Sequence, residues 1–189
     1  MQTLNSIRHK LASAPQLALR STLVRLIPFA SLAKNQPPDW LFTSGKPNRY
    51  NPAGIQCLYF AEDDASARAE YSAHWAGLAG ENQPIVTYYA NVRLQNVLDL
   101  TSSKTVKVMS IRGSDLFAPW RRAKRPTVTQ LIGQAVSESS IVSAIRYPSQ
   151  AAREAGFAGA NIVIFRDCIQ PPDSVRILGP TKKELQQWP

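Results

Sequence analysis

The sequence predicts an α+β fold, and three observations carry that prediction. Runs of strand type and of helix type succeed one another without the regular strand–helix–strand alternation that builds a doubly wound sheet. Neither a G-x-G-x-x-G turn nor a Walker A loop occurs, which argues against a Rossmann dehydrogenase or a P-loop enzyme. The longest β-type run, Pro84 to Leu94, alternates Val86, Tyr88, Ala90 and Val92 with Thr87, Tyr89, Asn91 and Arg93, the period-2 pattern of a half-buried strand.

Taken in order, residues 3 to 20 set Leu4, Ile7 and Leu11, with Leu17 and Leu19 beyond the break at Pro15, on helix-compatible spacing. They read as an amphipathic helical appendage over residues 1–22. Leu23 to Pro28 is a short β-like run ended by proline, and it opens the main domain, residues 23–180. Gln36 to Asp39 and Lys46 to Asn48 are loop chemistry. Gln56 to Ala61 reads as a buried-type strand. Asp63 or Asp64 can cap a helix that runs to about Leu78 and stops at Gly80. After the long strand, Asp99 to Ser102 opens another helix, and Pro126 to Thr129 starts one that passes through Gln130, Gly133 and Val136. Ser143 to Tyr147, Asn161 to Arg166 and Val175 to Leu178 complete the strands. The tail, residues 181–189, has capping-box order in Thr181-Lys182-Lys183-Glu184-Leu185 and predicts a short helix.

A chain of 189 residues with 44% hydrophobic and 19% charged content has the balance of a soluble globular domain with a proper core. No apolar run approaches the roughly 20 residues of a membrane span. Arg8, His9, Lys10, Arg20 and Arg25 interrupt every apolar stretch near the N-terminus, so no signal-peptide pattern forms and cytoplasmic residence is expected. Cys57 and Cys168 are far apart, each within a strand-like run, and read as core thiols. His9 and His74 are the two histidines, too few for a His-rich metal site, and no metal is expected. The 22 basic against 13 acidic residues give +9, which suits polyanions, a phosphate-bearing ligand or an acidic partner. Part of that excess is the run Arg121-Arg122-Ala123-Lys124-Arg125 between Trp120 and Pro126, which reads as a loop, solvated or binding.

The most informative stretch is Asn48-Arg49-Tyr50-Asn51-Pro52-Ala53-Gly54-Ile55, immediately before a strand and then the Ala-rich helix that carries Glu70. An arginine on a Pro/Gly turn, a tyrosine on a strand and a glutamate on the next helix can converge on one small anionic ligand. Singly, Arg49 suits a surface turn, Tyr59 a core aromatic, Glu70 a solvated helix position and Ser149 a turn. Their joint order points to a site.

These residues resemble the signature of the RES domain family. Asn48 to Gly54 is similar to the family's G-G-R-W-N-P-x-G, Leu58-Tyr59-Phe60-Ala61 to its L-Y-x-[AS] strand, and Glu70 to its helix glutamate. Ile145-Arg146-Tyr147-Pro148-Ser149 with Asn161-Ile162-Val163-Ile164-Phe165 resembles the family's Y-P-S and N-x-V-x-F elements. Val24-Arg25-Leu26 resembles its opening strand, and Pro126 to Gly133 its central helix start. The resemblance covers roughly residues 23 to 178. Pro47-Asn48 replaces the glycine pair, Tyr50 replaces the tryptophan, and Ala67-Arg68-Ala69 precedes the glutamate where apolar residues are usual.

That resemblance implies a split, mixed or antiparallel sheet flanked by helices, similar to ADP-ribosyltransferases. It implies a toxin that consumes NAD as its substrate and is held by an Xre-type antitoxin, with nucleic acid met only through that complex. Glu70, Arg49 and Ser149 fall on the catalytic positions, and Arg25, Arg49, Tyr50 and Tyr59 on the NAD-binding ones. The chemistry suits the residues. Cleaving the nicotinamide–ribose bond generates an oxocarbenium-like ribose, which a carboxylate such as Glu70 stabilises. Arginine forks such as Arg49 and Arg25 clamp a diphosphate. Tyr59 could meet the nicotinamide side, and Ser149 could fix Glu70 or a ribose hydroxyl. Hydrolysis, phosphorolysis and ADP-ribose transfer to a macromolecule all remain open on these residues. A basic nucleic-acid-binding module using Arg121 to Arg125 and the N-terminal segment is the reading from a different class; it lacks interleaved stacking aromatics.

Overall fold

The computed structural model describes residues 2–30, 41–43, 45–78 and 83–189. Along the chain run α1 (Leu4–Ser13), β1 (Gln16–Pro28), β2 (Cys57–Ala61), α2 (Asp64–Trp75), β3 (Ile85–Asp99), α3 (Ser103–Val108), α4 (Val128–Ser137), β4 (Ala144–Pro148), α5 (Gln150–Glu154), β5 (Ala160–Phe165), β6 (Ser174–Leu178) and β7 (Glu184–Trp188). A short 3-10 helix, Gly113–Phe117, lies between α3 and α4. The predicted loop Gln36 to Asp39 and the Gly80 helix stop fall outside the described residues.

The strands are linked in the order β1-β2-β5-β4-β3-β6-β7, and β1 also pairs with β3. Every pairing is antiparallel except β3 with β4, so the mixed sheet of an α+β fold is what forms. One edge of β3 is taken by β1 over its whole length; the other passes from β6, at Tyr89 to Arg93, to β4, at Val97 to Asp99. The expected split therefore lies within a single sheet, at β3. Because β1 meets β2 at Val24 and Ala61, strands β1, β2, β5, β4 and β3 close into a ring.

Period-2 patterning sorts the side chains of that ring. Leu58 and Phe60 of β2 and Ile162 and Ile164 of β5 join Leu23, Val86, Val92 and Ile177 in an inner core. Cys57, Val163 and Phe165 point the other way, into a second core with Ile7 and Leu11 of α1 and Ile132 and Val136 of α4. Helix α1 is capped by Thr3, whose hydroxyl accepts from the Ser6 N–H. Helix α2 is capped by Asp63, whose carboxylate accepts from the Ser66 N–H at 2.7 Å, and it packs Ala67 onto Val24 and Ala61. The outer face of β2, β5 and β4 is thus covered by α1 and α4 at one end and overhung by α2 at the other.

Two expected helical segments are strands. The predicted appendage over residues 1–22 is helical only to Ser13, and β1 starts at Gln16, seven residues before the predicted Leu23. Its partner decides this: β3 offers a continuous edge from Ile85 to Leu98, and β1 pairs with it from Pro28 back to Gln16. The tail does not form its capping-box helix either. Lys182 adopts φ 59°, a tight turn reverses the chain, and Glu184–Trp188 pairs with β6 as an edge strand. Trp188 then stacks edge-on against Phe42, ring centroids 5.1 Å apart.

Gly133 fixes how α4 meets the turn before β2. A Cβ built there would stand 1.5 Å from the Tyr50 carbonyl oxygen, so only glycine lets that backbone lie against the helix.

Candidate functional site

The site grows from three adjacent strands whose outward side chains meet at one level. Asn161 on β5 sits in register between Ala61 on β2 and Tyr147 on β4, with Tyr59 one step along β2. Tyr59 anchors the turn: its hydroxyl accepts from the Tyr50 N–H at 3.0 Å and donates to Asn51 Oδ1 at 2.9 Å. The buried Asn51 amide in turn donates to the Lys46 and Ile55 carbonyls. The turn that carries Arg49 is therefore tied to the sheet.

Glu70 reaches this level from α2. Its Oε1 accepts from Ser149 Oγ at 2.7 Å and from Asn161 Nδ2 at 2.6 Å. Oε2 receives no protein donor among the described residues. Hydrogen bonds to an ionised acceptor are short and strong, so the pair fixes the carboxylate and leaves its second oxygen for a ligand. Ser149 is committed on both sides, because its Oγ also accepts from the Ala152 N–H at 3.0 Å as the cap of α5. At 1% exposure it lies behind Glu70, outside the lining of the cavity that Glu70 faces.

That cavity has a volume of about 760 Å³ and runs between α2 and the segments that carry Arg49 and Trp120. Arg25, Arg49, Tyr59 and Glu70 all line it. Arg49 donates to the Leu116 carbonyl at 3.0 Å and to Gln150 Oε1 at 2.9 Å; Arg25 donates to the Leu41 carbonyl at 2.6 Å. Both guanidiniums are held by neutral acceptors. The contrast is Arg146, whose charge is consumed by Glu62 and Asp99 in ion pairs at 2.7 and 3.2 Å. Among the described residues the ion pairs use Arg8, Arg112, Arg146 and Arg176, so Arg25 and Arg49 bring uncompensated positive charge to a concave surface.

Burial tunes the remaining groups. It pushes the Tyr59 and Tyr147 hydroxyls well above their usual range, Tyr147 further because Glu70 is near, so both stay protonated. It lowers Arg25 to about 10, still charged at neutral pH. His74, which also lines the cavity, is pulled down first by burial and then by Arg121 and Arg25. Burial lifts the Cys57 thiol, and lifts Cys168 to about 11. Both cysteines are free, Cys57 buried and Cys168 half-buried.

Of the residues predicted from sequence, Arg25, Arg49, Tyr59 and Glu70 converge on the cavity, and Ser149 supports Glu70 from behind. Tyr50 does not reach it. Its side chain is fully buried against Tyr147, rings 4.4 Å apart, and its hydroxyl has no partner among the described residues. Asn161, Tyr147 and Gln150 take roles that sequence reasoning missed. Asn161 carried a signal: a polar residue near the start of a strand buried at every position must find a partner. Arg121, read as part of a loop that is solvated or binding, and Trp120 before it form part of the cavity wall. No helix among the described residues is long and apolar enough to cross a membrane, and none of their His, Cys, Asp and Glu side chains form a group of three able to hold a metal ion.

No curated protein matches the sequence. Among solved structures, the fold is similar to a chain of the M. tuberculosis MbcT–MbcA toxin–antitoxin complex, with a TM-score of 0.63 at 14% identity, covering 98% of this chain and 93% of that one. The RES domain model matches residues 22–184, a span that runs from the second half of β1 to the first residue of β7 and takes in every residue of the cavity described above. The chain belongs to the RES domain family.

Proposed function

We propose that this chain is an enzyme that cleaves the nicotinamide–ribose bond of NAD, and that it acts as the toxin of a toxin–antitoxin pair. The observation that carries the reading is Glu70, pinned by Ser149 and Asn161 in a cavity where Arg25 and Arg49 have no carboxylate partner among the described residues. Arg25 and Arg49 suit a diphosphate, and Glu70 suits the cation that forms beside it.

In the bond-breaking step the C1′–N1 electron pair leaves with the pyridinium nitrogen, which becomes neutral nicotinamide. Positive charge then develops on ribose C1′ and O4′. Glu70 Oε2 faces that charge, and its rotamer is fixed beforehand, so little reorganisation accompanies the reaction. The ring of Tyr59, whose hydroxyl is held by the Tyr50 N–H and Asn51, and Tyr147, protonated at neutral pH, would wall the nicotinamide side. An acceptor oxygen attacks C1′ and its proton passes to solvent, giving ADP-ribose from water or a phosphorylated ADP-ribose from phosphate. Transfer to a macromolecule, the reaction of ADP-ribosyltransferases, uses the same cation.

Support for a toxin role comes from family membership and from the solved toxin–antitoxin complex of similar fold. A cytoplasmic enzyme that drains NAD needs restraint, and an Xre-type antitoxin with an acidic or mixed surface would complement the +9 charge of this chain. Covering the cavity mouth beside Arg49 and Glu70 would be sufficient. Expression of the chain alone should arrest growth and lower cellular NAD, with Glu70→Ala tolerated; equal arrest by that variant refutes the reading. Mass spectrometry of products from NAD, with and without phosphate, identifies the acceptor, and absence of free nicotinamide in both refutes NAD cleavage.

A further inference from the structure

The cavity is chemically polarised along α2. Glu70 and His74 stand four residues apart, which places them on one face with about 6 Å of axial rise between them. Beyond Glu70 the lining passes to His74 and Trp75, with Trp120 and Arg121 also in the wall. The Arg121 guanidinium lies 4.9 Å from the Trp120 ring centroid, a flat cation on a flat aromatic. Arg121 is exposed and Trp120 half-buried, so the pair presents itself to a ligand. His74 experiences both Arg121 and Arg25 as neighbouring positive charges.

NAD has the matching asymmetry. Its nicotinamide ring is a cation, its purine is neutral and electron-rich, and the diphosphate lies between. A cationic ring is repelled by Arg121 and attracted by Glu70, with Arg25 and Arg49 left for the diphosphate. A purine stacks on indole and accepts a guanidinium over its face. Among the described residues the Trp120 and Arg121 side chains make no hydrogen bond or ion pair, and their ring contact is with each other.

We propose that Trp120 and Arg121 form the subsite for the adenine end of the dinucleotide, stacking the purine and fixing the direction in which it lies in the cavity. This rests on the NAD-cleaving reading and adds a consequence to it: the enzyme selects a dinucleotide over a mononucleotide. The adenine end is remote from the bond that breaks, so its binding contributes to the orientation of the ribose over Glu70.

The test compares kcat/KM for NAD and for nicotinamide mononucleotide, which has the scissile bond but no adenylate, and separately measures AMP binding by calorimetry. Trp120→Ala should lower the ratio of the two kcat/KM values on the order of tenfold, the scale of one lost base stack. Trp120→Phe should keep most of the ratio. Arg121→Ala, at an exposed position, should lower it by less and tests the stack even if Trp120→Ala does not fold. AMP should bind the wild-type chain and bind more weakly to each Ala variant. An unchanged ratio, or AMP binding that ignores both substitutions, overturns the subsite. If no substrate is cleaved, the NAD reading fails while the AMP arm still decides whether this wall takes an adenylate.

Discussion

Gly133→Ala should damage both stability and turnover although residue 133 touches no substrate. The added methyl would lie 1.5 Å from the Tyr50 carbonyl oxygen and 2.6 Å from its carbon, where ordinary contact begins near 3.4 Å. The backbone of Tyr50 must therefore retreat by up to about 1.9 Å, the difference between 3.4 and 1.5 Å, or α4 must move by the same amount. Neither is free to do so. Tyr50 is fully buried against Tyr147, and its N–H is tied to the Tyr59 hydroxyl, while Gln130 of α4 holds the Asn48 carbonyl at 3.0 Å. Overpacking of this kind costs about 1–3 kcal/mol and more when backbone is the obstacle. The gain in helix propensity from Gly to Ala offsets about 1 kcal/mol of that. A net loss of roughly 2 kcal/mol corresponds to a fall in Tm of about 4–8 °C for a chain of this size. Because Arg49 is adjacent to Tyr50, kcat/KM for NAD should fall as well. Thermal melting and nicotinamide release measure the two effects. A variant as stable as wild type, or more stable, refutes the close approach on which the placement of Arg49 depends.

Three further outcomes follow from the site. Arg49→Lys keeps the charge but loses the fork held by Leu116 and Gln150, so NAD binding measured by calorimetry should weaken about tenfold; wild-type affinity would reduce Arg49 to a charge in a basic cleft. Asn161→Ala and Ser149→Ala each remove one donor from Glu70 Oε1, and each should slow turnover about tenfold to a hundredfold, the range of a lost hydrogen bond to a charged group. Because they share one acceptor, the double variant should depart from the product of the single effects, and strict additivity would separate them from Glu70. For His74 the folded pKa lies below the ordinary value through burial, Arg121 and Arg25. The unfolded chain then binds more protons in the window between the lowered and the ordinary value, so stability is lost as pH falls through about 6.5 and below. His74→Gln should flatten that part of a urea-denaturation series against pH, and an unchanged profile contradicts the assignment.

What the sequence revealed depended on whether the signal was local. The β2 strand, the capped α2 helix and β5 were legible because short-range patterning and caps specify them. The first half of β1 was not, since Leu17 and Leu19 beyond Pro15 also fit a helix, and only the long free edge of β3 selects the extended form. The tail has capping-box residues, yet Lys182 at positive φ and the edge of β6 win. The site followed the same division. Arg49, Tyr59 and Glu70 converge as expected because turn, strand and helix are consecutive. Tyr50 looked like a ligand-facing aromatic, but the approach of Gly133 and the Tyr147 ring bury it. Asn161 meets Glu70 across 91 residues of chain, and Trp120 joins the site only through the shared cavity wall, separations that local reading does not span.

In the proposed reaction Glu70, pinned and facing a basic cavity, stabilises the ribose cation as nicotinamide leaves. Nicotinamide release from NAD by purified wild-type chain and by Glu70→Gln, at matched thermal stability, tests it most directly. The wild type should release nicotinamide and the variant should lose at least about a hundredfold, the scale of one removed electrostatic stabiliser. Turnover in Glu70→Gln within a fewfold of wild type would contradict it.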